Sequence, residues 1–161
     1  MIVIADATPL IYLHRARHLD LLPALFREVV VPAAVAREIA DGRTGPDVAA
    51  LPWVRIRSAS SVPPGLLRLG PGEREALALA LGTPDSLVII DDRDGREAAS
   101  ALGIEHIGTG AVVVLAKQAG LIESADAVLA AMQASGWWLA EPVRTALLEL
   151  AGERPGTRRN G

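Results

Sequence analysis

Apolar runs of strand length alternate along this chain with stretches whose apolar residues recur at helical spacing. Residues 2–5, IVIA, form a β-branched run that stops at Asp6, and Thr8 followed by Pro9 predicts an N-cap with proline at the first helical position. That helix should reach about Arg17, and the apolar segment from Leu19 to Phe26 is also predicted helical despite Pro23. Glu28 to Val31 is the next predicted strand. Pro32 then opens a helix in which Val35 and Ile39 share one face, Glu38 flanks that face, and the end falls near Asp41 and Gly42.

Residues 42–72 are the least regular stretch, broken by Pro46, Pro52, Pro63, Pro64 and Pro71, and only WVRIR at 53–57 has strand character. An edge strand inside a long connection is expected there, either a plain surface excursion or a cover for a site or partner. From Gly72 to Leu81 the apolar positions run nearly all round a helix, which predicts burial and puts Glu73 one turn before Ala76 and Leu77. LVII at 87–90 is predicted to be a fully buried strand with Asp91 at its carboxyl end.

Beyond it the pattern predicts a helix from Arg96 to Leu102, a brief strand in IEHI and a helix in GTGAVVVLAKQAGL ended by Gly120. A helix from Ser124 to about Ala134, a terminal strand in WWLA and a last helix from Pro142 complete the order. The chain is thus expected to be one domain over residues 1–150 followed by a mobile polar tail at 151–161. Strands alternating with helices at this spacing predict the α/β class, a three-layer α/β/α sandwich around a central, mostly parallel sheet. In such sheets, sites form beyond the carboxyl ends of strands, where Asp6 and the cluster Asp91, Asp92 and Asp94 are placed.

Composition narrows the chemistry. The 161 residues are half hydrophobic, with no cysteine, which removes disulfides, thiolate metal sites and thiol catalysis together. No apolar run is long enough to span a membrane, and the opening MIVIAD lacks a basic segment and a cleavage site, so a soluble, cytoplasmic protein is expected. A net charge of −3 argues against a generic nucleic-acid binder, although local patches could serve. Arg74, Arg93 and Arg96 lie beside the acidic landmarks and could grip phosphate in a fork, or simply pair at a solvated surface.

Carboxylates from distant segments, without cysteine or a histidine pair, suit Mg²⁺ or Mn²⁺, whose chemistry is phosphoryl transfer or hydrolysis. Each acid also has an ordinary explanation as a cap, a turn residue or a solvated helix position; jointly, four such explanations are needed where one metal site suffices. His14, His18 and His106 share no ligand spacing, and no P-loop, nucleophile elbow or dinucleotide fingerprint is present. Trp53, Trp137 and Trp138 are few and not interleaved with arginine, so they are expected to be packing anchors rather than a stacking platform.

IVIADATPLI, VVVPAAVAREI, LGPGEREALALAL and LVIIDDRDGREAASALGIEHIGTGAVVVLAKQAGLI, in that order over residues 2 to about 122, resemble PIN-domain proteins, in particular the subgroup related to toxin ribonucleases of the VapC type. The resemblance implies a Mg²⁺- or Mn²⁺-dependent endoribonuclease on an α/β/α fold. It implies that Asp6, Glu38, Glu73 and Asp92 hold the metal, that Thr8 supplies an accompanying hydroxyl, and that Asp91 and Asp94 share the work of Asp92. The third acid falls on Glu73 or Glu75, with Glu73 preferred because it continues the face of Ala76, Leu77 and Ala80. Arg93 or Arg96 would contact the RNA backbone, and a cognate antitoxin and a homodimer are implied as partners. Two rival expectations are a catalytically inactive RNA-binding or protein-interaction module of the same fold, and a small-molecule phosphatase with Asp6 as nucleophile. The phosphatase lacks its expected second aspartate, since that position is Thr8.

Overall fold

The computed structural model describes residues 1–154. Five short strands, β1 (Ile2–Ala5), β2 (Val29–Pro32), β3 (Val54–Arg57), β4 (Ser86–Ile89) and β5 (His106–Ile107), pair in parallel in the order β3-β2-β1-β4-β5. The register sets Val3 opposite Val29 on one side of β1 and Ile4 opposite Val88 on the other. The chain therefore steps outward from β1 through β2 to β3, then crosses back to lay β4 on the free edge of β1. The point where the direction reverses lies between β1 and β4, and open parallel sheets leave a crevice there at the carboxyl ends of the strands.

Strand side chains alternate between two cores, as the pleat requires. Val3, Ala5, Val29, Val31 and Ile89 face a layer built from helices α1 (Ala7–Arg15), α2 (Leu21–Phe26), α3 (Ala33–Gly42), α6 (Thr109–Gln118), α7 (Ala125–Ala134) and α8 (Glu141–Leu150). Ile4, Val30, Val88 and Ile90 face the opposite layer, supplied by α4 (Pro71–Leu81) and α5 (Arg93–Ala101). Helices on both faces make the predicted α/β/α sandwich. Leu10 and Leu13 of α1 are fully buried, and each such side chain stabilises by about 2 kcal/mol. That docking fixes the angle at which the chain leaves β1 and so the position of Asp6.

Local differences from the sequence pattern have physical causes. α1 begins at Ala7, not after Thr8: Asp6 takes the cap position, and Pro9 falls within the first turn, where its missing N–H breaks no helical bond. α5 begins at Arg93 instead of Arg96, because Asp92 Oδ1 accepts from the Gly95 N–H at 3.0 Å and caps the helix one turn earlier. α3 runs through Gly42, and Arg43 closes it in the left-handed region, φ 54°. WWLA is not a strand: Trp137 turns inward, Trp138 turns out, and neither joins the sheet ladder. Of the tail expected to be mobile, residues 155–161 lie outside the described residues. Within the rest of it, Glu153 accepts from the Ala125 N–H at 2.6 Å and the Asp126 N–H at 3.1 Å, holding the start of α7. No helix among the described residues is long and apolar enough to cross a membrane.

Candidate metal centre

The residues that follow β1 and β4 open into one cleft of about 400 Å³ at the reversal point of the sheet. Asp6, Thr8, Glu38, Glu73, Asp91 and Asp92 all line it. Glu38 reaches it from α3, and Glu73 from the first turn of α4, where Gly70 caps the helix and Pro71 starts it. Gly72 lets the carboxylates converge: a Cβ there would stand 3.0 Å from Glu38 Oε2 and 3.4 Å from Asp6 Oδ1. A side chain there would press on both acids and on Val35 Cγ2, also 3.0 Å away.

Electrostatics mark Asp6 as the most perturbed group of the cleft. It is only 5% exposed, and burial pushes its carboxyl up from 3.8 to about 7, with the negative charges of Glu73, Glu38 and Asp91 adding to the rise and the Ala7 N–H opposing it. Glu73 is raised as well, by burial first and by Asp92 next, while the Gly70 N–H pulls it the other way. Among the described residues no ion pair involves any acid of the cleft. Among the described residues no lysine or arginine lines the cleft beside the carboxylates.

Asp91 is the acid most firmly held. Its Oδ1 accepts from the Thr109 N–H at 2.7 Å, and its Oδ2 accepts from the Thr109 hydroxyl at 2.7 Å and from Trp137 Nε1 at 3.3 Å. Thr109 is fully buried and Trp137 nearly so. With both oxygens engaged, Asp91 acts as a wall that joins β4, α6 and the segment after α7. The sequence pattern missed Thr109 in this role, and it read both Trp137 and Trp138 as packing anchors. Trp137 does pack, but Trp138 is 81% exposed at the rim of the cleft. The signal for this was the doublet itself, since consecutive side chains of an extended segment point to opposite sides.

The profile of a family described as the PIN domain matches residues 2–153. The chain belongs to the PIN-domain family. Members of that family are generally nucleases, commonly metal-dependent, and the family suggests interaction with RNA. This PIN domain is also similar in structure to a PilT N-terminus domain protein from the hyperthermophilic archaeon Sulfolobus solfataricus, with a TM-score of 0.55 and 18% identity over 88% of this chain and 98% of that one. No curated protein matches the chain.

Four of the other sequence candidates lie away from the cleft of the PIN domain. Glu75 turns aside: its Oε1 accepts from the Ala34 N–H at 2.8 Å and its Oε2 from the Ala59 N–H at 3.4 Å, tying α4 to the start of α3 and to the long connection. Asp94 sits in the first turn of α5, outside the cleft but near enough to raise Glu73. Arg93 pairs with Glu97 at 3.1 Å, and it shares with Arg96 and His106 a separate hollow of about 540 Å³ on the far side of Asp91. An oxygen-only donor set with uncompensated charge fits a hard divalent cation. Among the described residues, however, no group of three or more acidic or histidine side chains stands close enough together to hold a metal ion.

Proposed function

We propose that this PIN domain is an endoribonuclease dependent on Mg²⁺ or Mn²⁺, with Asp6, Glu38, Glu73 and Asp92 holding the metal directly or through water. One observation carries the proposal: a buried carboxyl raised to about 7 shares a cleft with further acids and, among the described residues, with no side-chain cation. Metal bound there would screen phosphodiester charge and lower the pKa of a water for in-line attack. Asp92 has one oxygen committed to capping α5, which orients the carboxyl and leaves its other oxygen for the cleft. Thr8 offers a hydroxyl at the rim, and Asp91, pinned by Thr109 and Trp137, keeps the wall opposite Glu38 and Glu73 in place. Arg93 and Arg96 would receive RNA phosphate leaving the cleft on the far side of Asp91.

Likeness to the VapC-type toxins extends the proposal to a cytoplasmic homodimer, the toxin half of a toxin–antitoxin pair, with an antitoxin covering the acidic cleft. A second reading, an inactive RNA-binding or protein-interaction module, is favoured by the absence, among the described residues, of any group of three or more acidic or histidine side chains placed to hold a metal ion. Cleavage of a mixed RNA pool with Mg²⁺, Mn²⁺ or EDTA separates the two. Wild-type protein should cut only with metal, and the Asp6→Asn and Asp92→Asn variants should fold yet not cut. Cutting by both variants rejects the assignment of these acids, and calorimetry that finds no Mn²⁺ binding at millimolar metal favours the inactive module.

A further inference from the structure

Among the described residues, the lining of the acidic cleft contains neither lysine nor arginine. The molecule as a whole carries a charge of −3. Phosphate attraction, the usual source of nucleic-acid affinity, is therefore weak where the reacting strand must sit. Affinity beyond what a bound metal, Arg93 and Arg96 would supply has to come from contacts other than charge.

The rim supplies an aromatic surface. Trp138 is 81% exposed, whereas its neighbour Trp137 is 7% exposed. The exposed ring lines the acidic cleft, so a strand entering the cleft would meet its face. The ring is not on a loose tether. Trp137 packs in the core and donates its N–H to Asp91 Oδ2 at 3.3 Å, which anchors the residue directly before Trp138. Gly136, at φ +104°, turns the chain out of α7 just upstream, and α8 starts at Glu141 just downstream. The anchored side chain thus lies on the same aspartate that forms the cleft wall, and the free one faces outward from it.

We infer that Trp138 is a stacking platform for one unpaired nucleobase of the RNA strand whose phosphodiester enters the acidic cleft. The inference rests on the nuclease reading above and assigns the residue that would hold a base beside the scissile phosphodiester. Base faces stack on an indole whatever the sequence, but only when the base is unpaired, so the site takes single strands and rejects duplex. Binding through stacking also responds weakly to salt, unlike binding along a basic track.

Three measurements on the full chain test this. Kinetics on a single-stranded RNA oligonucleotide should show Trp138→Ala raising KM by about 10-fold with kcat nearly kept, and Trp138→Phe holding KM close to wild type, since a phenyl ring still stacks. Calorimetry should give the same Mn²⁺ affinity for all three proteins. Titration of oligoadenylate in EDTA should quench tryptophan fluorescence of the wild type, with that quenching lost in Trp138→Phe and little changed between low and moderate salt. An unchanged KM in Trp138→Ala, in a wild type that cleaves, overturns the stacking role and leaves the nuclease standing. Quenching that depends on Trp138 in a wild type that neither cleaves nor binds Mn²⁺ upholds the platform and removes the catalytic reading. Absence of quenching, with Trp138→Ala instead changing the sedimentation of the protein, assigns the ring to a protein interface and overturns the proposal.

Discussion

Replacing Asp6 by Asn should stabilise the metal-free protein, by an amount that grows with pH. The ordinary carboxyl value is 3.8, and that of Asp6 in the fold is about 7. Between those values the folded chain keeps a proton that the unfolded chain has released, so stability falls as pH rises through this window and levels off above it. The gap of about three pKa units, at ~1.4 kcal/mol each, puts the loss on the order of 4 kcal/mol. Asn cannot ionise, and its side-chain oxygen can stand where that of Asp6 stands, so the variant should escape most of this loss. Urea unfolding in EDTA should give similar stabilities near pH 4 and a variant ahead by on the order of 4 kcal/mol near pH 8. Added Mn²⁺ should then raise the wild type and not the variant, with an affinity that climbs as pH passes about 7 and the proton leaves. Parallel pH slopes for the two proteins, or a variant that is the less stable near pH 8, would refute the account of Asp6 as a strained, uncompensated acid.

Gly72→Ala should fold as the parent does, since the position is helical, yet lower Mn²⁺ affinity by about 10-fold or more in calorimetry, because the new methyl would stand 3.0 Å from Glu38 Oε2. Full affinity in that variant would show that Glu38 and Asp6 need not approach each other. Glu75→Ala should do the reverse: loss of the acceptors for the Ala34 and Ala59 N–H groups should cost about 1–3 kcal/mol in denaturant unfolding, with Mn²⁺ binding intact. A loss of metal affinity there would reassign the third acid from Glu73 to Glu75.

The alternation of strand and helix patterns made the sandwich legible, because each strand is short, β-branched and bounded by an acid, a proline or a glycine. The convergence of Asp6 with Asp91 and Asp92 was also legible, since acids at the carboxyl ends of parallel strands gather wherever those strands become neighbours. The preference for Glu73 over Glu75 rested on the face of Ala76, Leu77 and Ala80; Glu73 does line the cleft, and Glu75, two residues on, points elsewhere. The capping of α1 and α5 was harder to read. Asp6 and Asp92 compete there with Thr8 and Asp94 for similar local roles, and tertiary packing decides between them. The roles of Thr109 and the two tryptophans were beyond local pattern: they depend on α6 and the segment after α7 arriving beside Asp91, a meeting of distant parts of the chain. Arg93 was placed near the acids by its number alone, whereas the turn of α5 carries it round to Glu97.

Because β4 pairs with β1 only after the chain has gone out to the opposite edge and returned, a nascent polypeptide on the ribosome carries Asp6, Glu38 and Glu73 before it carries the wall formed by Asp91 and Asp92. The stretch bearing Asp92 must be translated and docked first, and the tryptophan rim is translated later still. An incomplete copy, whether stalled or truncated before α7, would therefore lack the Trp137 anchor of Asp91, so the wall of the cleft is completed only when translation has nearly finished.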